Sequence, residues 1–182
     1  MTDAIISEFH NPKLRVLLDA EKIQTRIREL GAQVTHDYQD RELLLICVLK
    51  GACLFLSDLI RAIDLNIAID FIAVSSYGGA SKSSGEVRIL KDSDMSLKGK
   101  DVLIVEDIVD TGLTLSYLQD IFRRREANSV KVIALLDKPE RRVRQVDVAY
   151  IGFEIPNYFV VGYGLDHAER YRNLPFVGVV EN

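Results

Sequence analysis

The sequence predicts an α/β fold in which a mostly parallel, twisted sheet is flanked by helices on both faces. Apolar runs of strand length alternate with segments of helical period along most of the chain. Uninterrupted apolar runs are typical of strands that are buried on both faces, as in a parallel sheet. Polar segments, several of them containing glycine, follow these runs directly, as they do where strands end in ligand-binding loops. We expect residues 1–182 to form a single domain.

The first half of the chain begins with a helix. Apolar side chains recur every three or four positions over residues 19–38, which is the period of an amphipathic helix. The apolar run over residues 43–49 predicts a buried strand. The tight turn at Lys50-Gly51 then leads into an apolar helix over residues 52–63. A second strand, rich in β-branched residues, is predicted over residues 67–75.

The second half repeats this alternation. A short apolar strand over residues 102–105 is followed by two acids and a polar turn, and then by a helix over residues 113–125. The remaining strands are predicted over residues 130–136, 148–152 and 158–161.

Four polar segments directly follow predicted strands: Lys50-Gly51, Ser76-Tyr77, residues 106–114 and Lys138. The carboxyl ends of parallel strands lie at one edge of the sheet, and ligands of open α/β sheets bind at that edge. The sequence therefore predicts one ligand site to which all four segments contribute.

The composition disfavours several other classes of protein. A formal charge of −4 and a pI near 5.4 do not favour a dedicated nucleic-acid binder. No apolar stretch approaches the ~20 residues that cross a bilayer, so no membrane partner is expected. The N-terminus lacks the pattern of a signal peptide. Cys47 and Cys53 lack metal-ligand spacing and lie in apolar segments, so we expect reduced, packed thiols in a cytoplasmic protein.

The loop over residues 110–114 has the features that a monophosphate requires. Gly112 permits close approach of the backbone, and the N–H groups of the following helix start would face a ligand. Two threonine hydroxyls add further donors. A simpler alternative is that Asp110 and Thr111 only cap the helix.

Glu106 and Asp107 precede this loop and favour the ligand-binding alternative. Two carboxylates cannot bind phosphate, but they can accept hydrogen bonds from the vicinal hydroxyls of a ribose. With them, the segment over residues 102–115 resembles the phosphoribosyl-diphosphate-binding motif of type I phosphoribosyltransferases. The chain from about residue 43 to residue 180 resembles the hypoxanthine-guanine branch of that family.

The resemblance implies a fold and a reaction. The fold would be that of type I phosphoribosyltransferases, with a small hood lobe from residues 150–182, to which the N-terminus could contribute, and a flexible lid loop. The reaction would be Mg²⁺-dependent transfer of the phosphoribosyl group of 5-phosphoribosyl 1-diphosphate to N9 of hypoxanthine or guanine. Its products would be IMP or GMP, together with pyrophosphate. Relatives of this kind assemble as homodimers or homotetramers, and we carry over that expectation.

The resemblance also assigns residues to the phosphoribosyl donor. The 5′-phosphate is assigned to Asp110, Thr111, Gly112, Leu113 and Thr114, with Leu113 contributing only its backbone. The ribose is assigned to Glu106 and Asp107, and the pyrophosphate to Lys50, Gly51 and Arg172. It further implies that the peptide bond before Lys50 can be cis. Ser76 and Tyr77 would open a lid that closes over the diphosphate and excludes water.

The purine is assigned to residues near the C-terminus. Lys138 would donate to the oxygen at C6, where adenine instead carries an amino group, and Phe159 would stack on the ring. Val160 would contact the base edge through its backbone. Asp166 is assigned both to the purine pocket and to Mg²⁺, with Glu106 and Asp107 as further metal-site candidates. Asp110 would accept the proton that the purine loses near N7.

Three alternatives remain at the level of the sequence. Some regulators with this fold bind RNA, and the basic residues 123–125 and 138–144 could serve that purpose. The acidic balance of the chain and the pairing of Lys138 with Phe159 favour the enzyme. Lys138, together with the segment over residues 155–172, argues against an adenine or uracil enzyme. The intact acidic and basic site residues argue against an inactive nucleotide-binding module.

Overall fold

The structure is a computed structural model that describes residues 14–76 and 87–181. The elements in chain order are β1 (Leu14–Leu18), α1 (Ala20–Asp37), β2 (Leu43–Leu49), α2 (Cys53–Ala62), β3 (Ala68–Ser76), β4 (Val87–Lys91), β5 (Asp101–Val109), α3 (Leu113–Arg124), β6 (Ser129–Asp137), a 3-10 turn (Pro139–Arg141), β7 (Val148–Glu154), β8 (Val160–Val161) and β9 (Val177–Val180).

Six strands form the central sheet in the order β4-β3-β2-β5-β6-β7. Strand β4 is antiparallel to β3, and all other neighbours are parallel. The predicted mostly parallel sheet is therefore confirmed. The carboxyl ends of β2, β5 and β6 lie side by side, because these three strands are adjacent in the sheet.

The two faces of the sheet bury separate hydrophobic cores. Leu45 and Cys47 of β2 face the core that holds α1 and α2, whereas Leu44 and Ile46 face the core that holds α3. This alternation follows from the two-residue period of a strand. Because both faces are covered, β2 reads in the sequence as a continuous apolar run.

Helices α1 and α2 pack closely because α1 carries a glycine at their contact. A Cβ atom at Gly31 would lie 2.5 Å from the backbone oxygen of Ala62. The helix itself begins at Asp19, whose carboxylate accepts a hydrogen bond from the Lys22 N–H at 2.8 Å. Its buried stripe matches the predicted helical period.

A second, three-stranded antiparallel sheet has the order β1-β9-β8. Leu14 of β1 pairs with Val180 of β9, and Val160 of β8 pairs with Val179 of β9. The expected hood over residues 150–182 would contain β8 and β9. Its status as a separate lobe of a single domain stays a prediction.

Several features differ from the sequence-based expectations. Strand β5 continues to Val109, so Glu106 and Asp107 lie within the strand rather than after it. Strands β1, β4 and β9 were not predicted, because they are only five, five and four residues long. Cys47 is buried, and burial raises the pKa of its thiol to about 12, but Cys53 is exposed and so is not the packed thiol that we expected. Within the described residues, no helix is both long and apolar enough to cross a membrane.

We predict that Gly31→Ala lowers the free energy of unfolding. Alanine raises helix propensity by about 1 kcal/mol, but the overlap with the Ala62 backbone costs about 1–3 kcal/mol. A net loss of about 1 kcal/mol in urea unfolding is expected from these terms. The exposed Gln33→Ala on the same helix serves as the control and should change stability by less than about 0.5 kcal/mol. A Gly31→Ala variant more stable than the wild type would contradict this account of the helix contact.

Candidate active site

The candidate site lies where β2, β5 and β6 end. Lys50 and Gly51 follow β2, and the Leu49–Lys50 peptide bond is cis. Residues 106–114 span the end of β5 and the start of α3, and Lys138 follows β6. The structure therefore brings three of the four predicted segments to one edge of the sheet. Of the fourth, Ser76 ends β3, and Tyr77 lies outside the described residues.

A cavity of about 220 Å³ opens at the start of α3. It is lined by Val48, Glu106, Ile108, Asp110, Thr111, Gly112, Thr114 and Leu115. Five residues that the sequence analysis assigned to the phosphoribosyl donor thus line one pocket: Glu106, Asp110, Thr111, Gly112 and Thr114. Leu113 belongs to the same helix start but is not part of the lining.

The start of α3 has the form of an anion site. Gly112 is the N-cap, adopts a φ of 81° and offers no side chain to the helix. A Cβ atom there would lie 2.5 Å from the backbone oxygen of Arg144, so close packing and the positive φ both require glycine. The Thr111 hydroxyl lies 3.5 Å from the Leu113 N–H, too far for a good capping bond. The loop therefore provides at most one weak side-chain cap, which leaves the first N–H groups of α3 available to a ligand.

Glu106 and Asp107 form an acid pair inside β5, in which Glu106 is buried and Asp107 is half-buried. Glu106 Oε1 accepts a hydrogen bond from the Asp107 N–H at 3.3 Å, and Asp107 Oδ1 accepts one from the Ile108 N–H at 2.7 Å. Burial raises the pKa of both carboxyl groups, and the adjacent charge of Asp107 raises the pKa of Glu106 further. Hydroxyl donors or a cation brought to this pair would favour its ionised form.

A chain of close approaches joins the acid pair to the C-terminal segment. The α-carbon of Gly51 lies against the Asp107 carboxylate, so that a Cβ atom at Gly51 would overlap Asp107 Oδ2. Gly164, with a φ of 99°, in turn lies against the carbonyl of Gly51. The Arg172 Nη1 group donates to the Gly164 carbonyl at 2.8 Å. The predicted pyrophosphate residues and Asp107 are therefore neighbours in space.

Arg172 lies in a small network of charges. Its Nη2 atom is 2.8 Å from Asp166 Oδ1 and 3.5 Å from Glu169 Oε2. Lys50 Nζ is 3.0 Å from the same Glu169 oxygen. Glu169 had not been singled out in the sequence, because nothing in its local pattern indicates contact with a residue 119 positions away.

The predicted purine residues come together where the end of β6 contacts the segment before β8. Lys138 is buried, and its Nζ group donates to the backbone oxygen of Tyr158 at 2.6 Å. Burial lowers the pKa of this lysine, although Asp110 acts in the opposite direction. Phe159 is 55% exposed and meets the His167 ring edge-on, with centroids 5.3 Å apart. Val160 is buried in β8, where it pairs with Val179 of β9.

Asp110 has a charged partner that the sequence did not identify. Arg141 Nε lies 2.9 Å from Asp110 Oδ1, and the two residues are 31 positions apart. Arg141 belongs to the 3-10 turn directly after Lys138. The sequence shows only a general excess of basic residues there, without indicating which one faces the cavity.

The carboxylates form no ready-made metal cluster. In the parts of the chain that the structure describes, no three His, Cys, Asp or Glu side chains come together as ligands. Protein-bound Mg²⁺ commonly takes one or two carboxylates and completes its shell with water and phosphate oxygens. The acid pair of β5 has no cationic side chain in hydrogen-bond contact among residues 14–76 and 87–181, and it offers hard oxygen ligands of that kind.

Comparison with known proteins gives consistent matches. The model of the phosphoribosyl transferase domain family matches residues 15–168. A hypoxanthine-guanine phosphoribosyltransferase of Bacillus subtilis is 55% identical over 92% of this chain and 93% of its own. The enzyme of that name from Streptococcus thermophilus is 53% identical over the same shares. The crystal structure of a hypoxanthine phosphoribosyltransferase from Staphylococcus aureus has a TM-score of 0.92 at 46% identity, covering 100% of this chain and 97% of that one.

The acid pair leads to a prediction for the ligand-free protein. Because folding raises the pKa of Glu106, the native state binds more protons than the unfolded state above the unfolded pKa of about 4.3. Stability must therefore fall as the pH rises through that window. Glu106→Gln removes this loss, so its urea midpoint should exceed that of the wild type at pH 7.

The difference should shrink as the pH approaches 4.5, where the wild-type carboxyl is increasingly protonated in both states. The exposed Glu154→Gln, in β7, is the control and should give no pH-dependent gain. If the urea midpoint of Glu106→Gln exceeds that of the wild type by the same amount from pH 4.5 to pH 8, burial of charge is not the cause of the difference.

Proposed function

Because this chain belongs to the phosphoribosyl transferase family, we propose that it transfers the phosphoribosyl group of 5-phosphoribosyl 1-diphosphate to N9 of hypoxanthine or guanine. The products are IMP or GMP and pyrophosphate, so the enzyme serves purine salvage. The observation that carries the proposal is a single cavity that combines an anion-binding helix start with a buried carboxylate. Such a cavity suits a ligand that has a phosphate and vicinal hydroxyls on one small sugar.

The 5′-phosphate takes the start of α3. Its oxygens accept hydrogen bonds from the backbone of residues 111–114 and from the hydroxyls of Thr111 and Thr114. Leu113 contributes backbone alone. The ribose hydroxyls donate to Glu106 and Asp107, which relieves the electrostatic cost of burying two acids side by side.

The diphosphate lies toward Lys50, Gly51 and Arg172. The glycine contacts bring these residues and Asp107 together, and the Arg172 guanidinium suits oxygen-rich anions. Asp166, Glu106 and Asp107 are the residues that would hold Mg²⁺ there, in part through water. When bound, the ion neutralises charge on the leaving diphosphate. Ser76 and Tyr77 open the lid that keeps water from the anomeric carbon.

The purine is held between Phe159 and the end of β6. The exposed Phe159 ring stacks on the base, the Val160 backbone contacts its edge, and Lys138 donates to the oxygen at C6. Asp110 accepts the proton that the base loses as N9 attacks the anomeric carbon. Arg141 contacts Asp110 Oδ1, so Oδ2 is the oxygen that we assign to the proton.

Assembly and location follow the family expectation. We infer a homodimer or homotetramer in the cytoplasm, with no membrane or nucleic-acid partner. The RNA-binding alternative has less support, because the basic residue Arg141 is already paired with Asp110 at the cavity and Arg125 is paired with Asp92.

In the first test, the purified protein is incubated with 5-phosphoribosyl 1-diphosphate, Mg²⁺ and one base at a time. The bases are hypoxanthine, guanine, xanthine, adenine and uracil. We expect turnover of 6-oxopurines, with adenine disfavoured by about 10⁴ in kcat/KM, because its amino group faces the Lys138 donor. Formation of nucleotide and release of pyrophosphate are both measured. Donor binding without turnover of any base would contradict the proposal and direct attention to RNA binding.

A second test addresses the proton acceptor. Asp110→Asn should lower kcat by about 10²–10⁴, because general-base assistance of this kind contributes that much. Affinity for the donor, measured by calorimetry, should change by only a few-fold. Asp120→Asn is the matched control, because Asp120 is an exposed aspartate of α3 that also pairs with an arginine, Arg123 at 3.4 Å. Unchanged turnover in Asp110→Asn would remove Asp110 from the mechanism.

A further inference from the structure

One carboxylate oxygen contacts both cations that we assign to the diphosphate. Glu169 Oε2 lies 3.0 Å from Lys50 Nζ and 3.5 Å from Arg172 Nη2. Lys50 comes from the loop after β2, whereas Arg172 precedes β9, so these charges meet only in the folded protein. The Arg172 Nε atom is buried and has no hydrogen-bond partner among the described residues. The protein's own contacts therefore leave the donor capacity of this guanidinium unfilled.

A tight turn positions Glu169 at this place. His167 and Arg170 exchange backbone hydrogen bonds of 3.1 Å, and the two residues between them, Ala168 and Glu169, have φ values of 52° and 62°. Positive φ at both central positions is usually met with Gly or Asn. The Glu169 N–H donates to Asp166 Oδ2 at 2.9 Å, which ties the turn to the neighbouring acid. The turn thus holds the side chain against the two cations.

We propose that Glu169 is an internal substitute for the diphosphate, which holds Lys50 and Arg172 in the free enzyme and is displaced when the donor or pyrophosphate binds. The inference rests on the proposed function, because it takes these two cations as diphosphate ligands. Glu169 is a positioning residue: it acts through the two cations and on neither the base nor the anomeric carbon. Its further role is to compete with pyrophosphate and so to speed product release.

The balance of charges supports displacement. The side chains of Lys50 and Glu169 are 68% and 66% exposed, and ion pairs this exposed are weak. A diphosphate carries more charge and more acceptor oxygens than one carboxylate, and it can engage the arginine fork at two points.

The test compares Glu169→Gln with the wild type in binding inorganic pyrophosphate with Mg²⁺. Glutamine keeps the size of the side chain and removes its charge. In Glu169→Gln, pyrophosphate does not have to displace the ion pairs that Glu169 forms with Lys50 and Arg172. The Kd of this variant for pyrophosphate should therefore be about two- to tenfold lower than that of the wild type. The inhibition constant of pyrophosphate against the donor should fall in parallel. Raising the salt concentration should reduce the difference in Kd between the variant and the wild type, since salt screens the ion pairs of Glu169.

Glu126→Gln is a matched control. Glu126 also has a positive φ, of 62°, and an exposed ion pair, with Lys98 at 2.9 Å. It follows α3, whose opposite end forms the anion site, so it is remote from the diphosphate. This variant should bind pyrophosphate as the wild type does. Glu169→Asp, which keeps the charge on a shorter side chain, should fall between Glu169→Gln and the wild type.

The outcomes separate this inference from the proposed function. If the wild type binds pyrophosphate and Glu169→Gln binds it equally or less tightly, the competition is refuted while the enzyme assignment stands. If the wild type turns over hypoxanthine yet pyrophosphate binding is unaffected by Lys50→Ala and Arg172→Ala, the diphosphate site is misplaced and the inference fails with it. Thermal melting of each variant establishes that affinities are compared between folded proteins.

Discussion

The close packing of backbone against a carboxylate organises the site. Gly51 lies directly on Asp107, and Gly164 lies directly on Gly51, so three parts of the chain meet without any intervening side chain. A Cβ atom at either glycine would overlap its neighbour. This contact fixes the loop after β2 relative to β5 and to the segment that carries Arg172. Every assignment of diphosphate, metal and ribose depends on that fixed relation.

The sheet supplies the second constraint, because it determines where charge can be buried. Strand β5 is central and covered on both faces, and its C-terminal residues include Glu106, which is buried, and Asp107, which is half-buried. The cations are carried by loops and remain more exposed: Lys50 by two thirds of its side chain and Arg172 by about a quarter. The acids on the strand and the cations on the loops therefore lie close together, an arrangement suited to a ligand that carries both hydroxyls and a highly charged leaving group.

The elements of the fold and the site residues that could be predicted from the sequence are those that depend on local sequence pattern. Strand β2 was predicted with its observed bounds, because polar residues flank an unbroken apolar run. Strand β5 was cut short, because its acids interrupt the apolar pattern while the backbone pairing with β6 continues through Ile108 and Leu136. Partners such as Arg141 for Asp110 were missed, because a contact between residues far apart in sequence leaves no local periodicity. The turn into α3 was predicted as a candidate 5′-phosphate loop because glycine, hydroxyls and a helix start are contiguous there, and that role stays a prediction.

The pairing of β1 with β9 has a consequence for the order in which the protein is completed during synthesis. Leu14 pairs with Val180, so this sheet joins residues from nearly opposite ends of the described chain. Contacts of such long sequence separation form only after the intervening chain has been made and ordered. The strand pairing of the central sheet needs no residue beyond β7, and α3 lies between β5 and β6 in the chain. A ribosome-bound chain can therefore form the turn into α3 well before β8, beside Phe159, finds its partner strand.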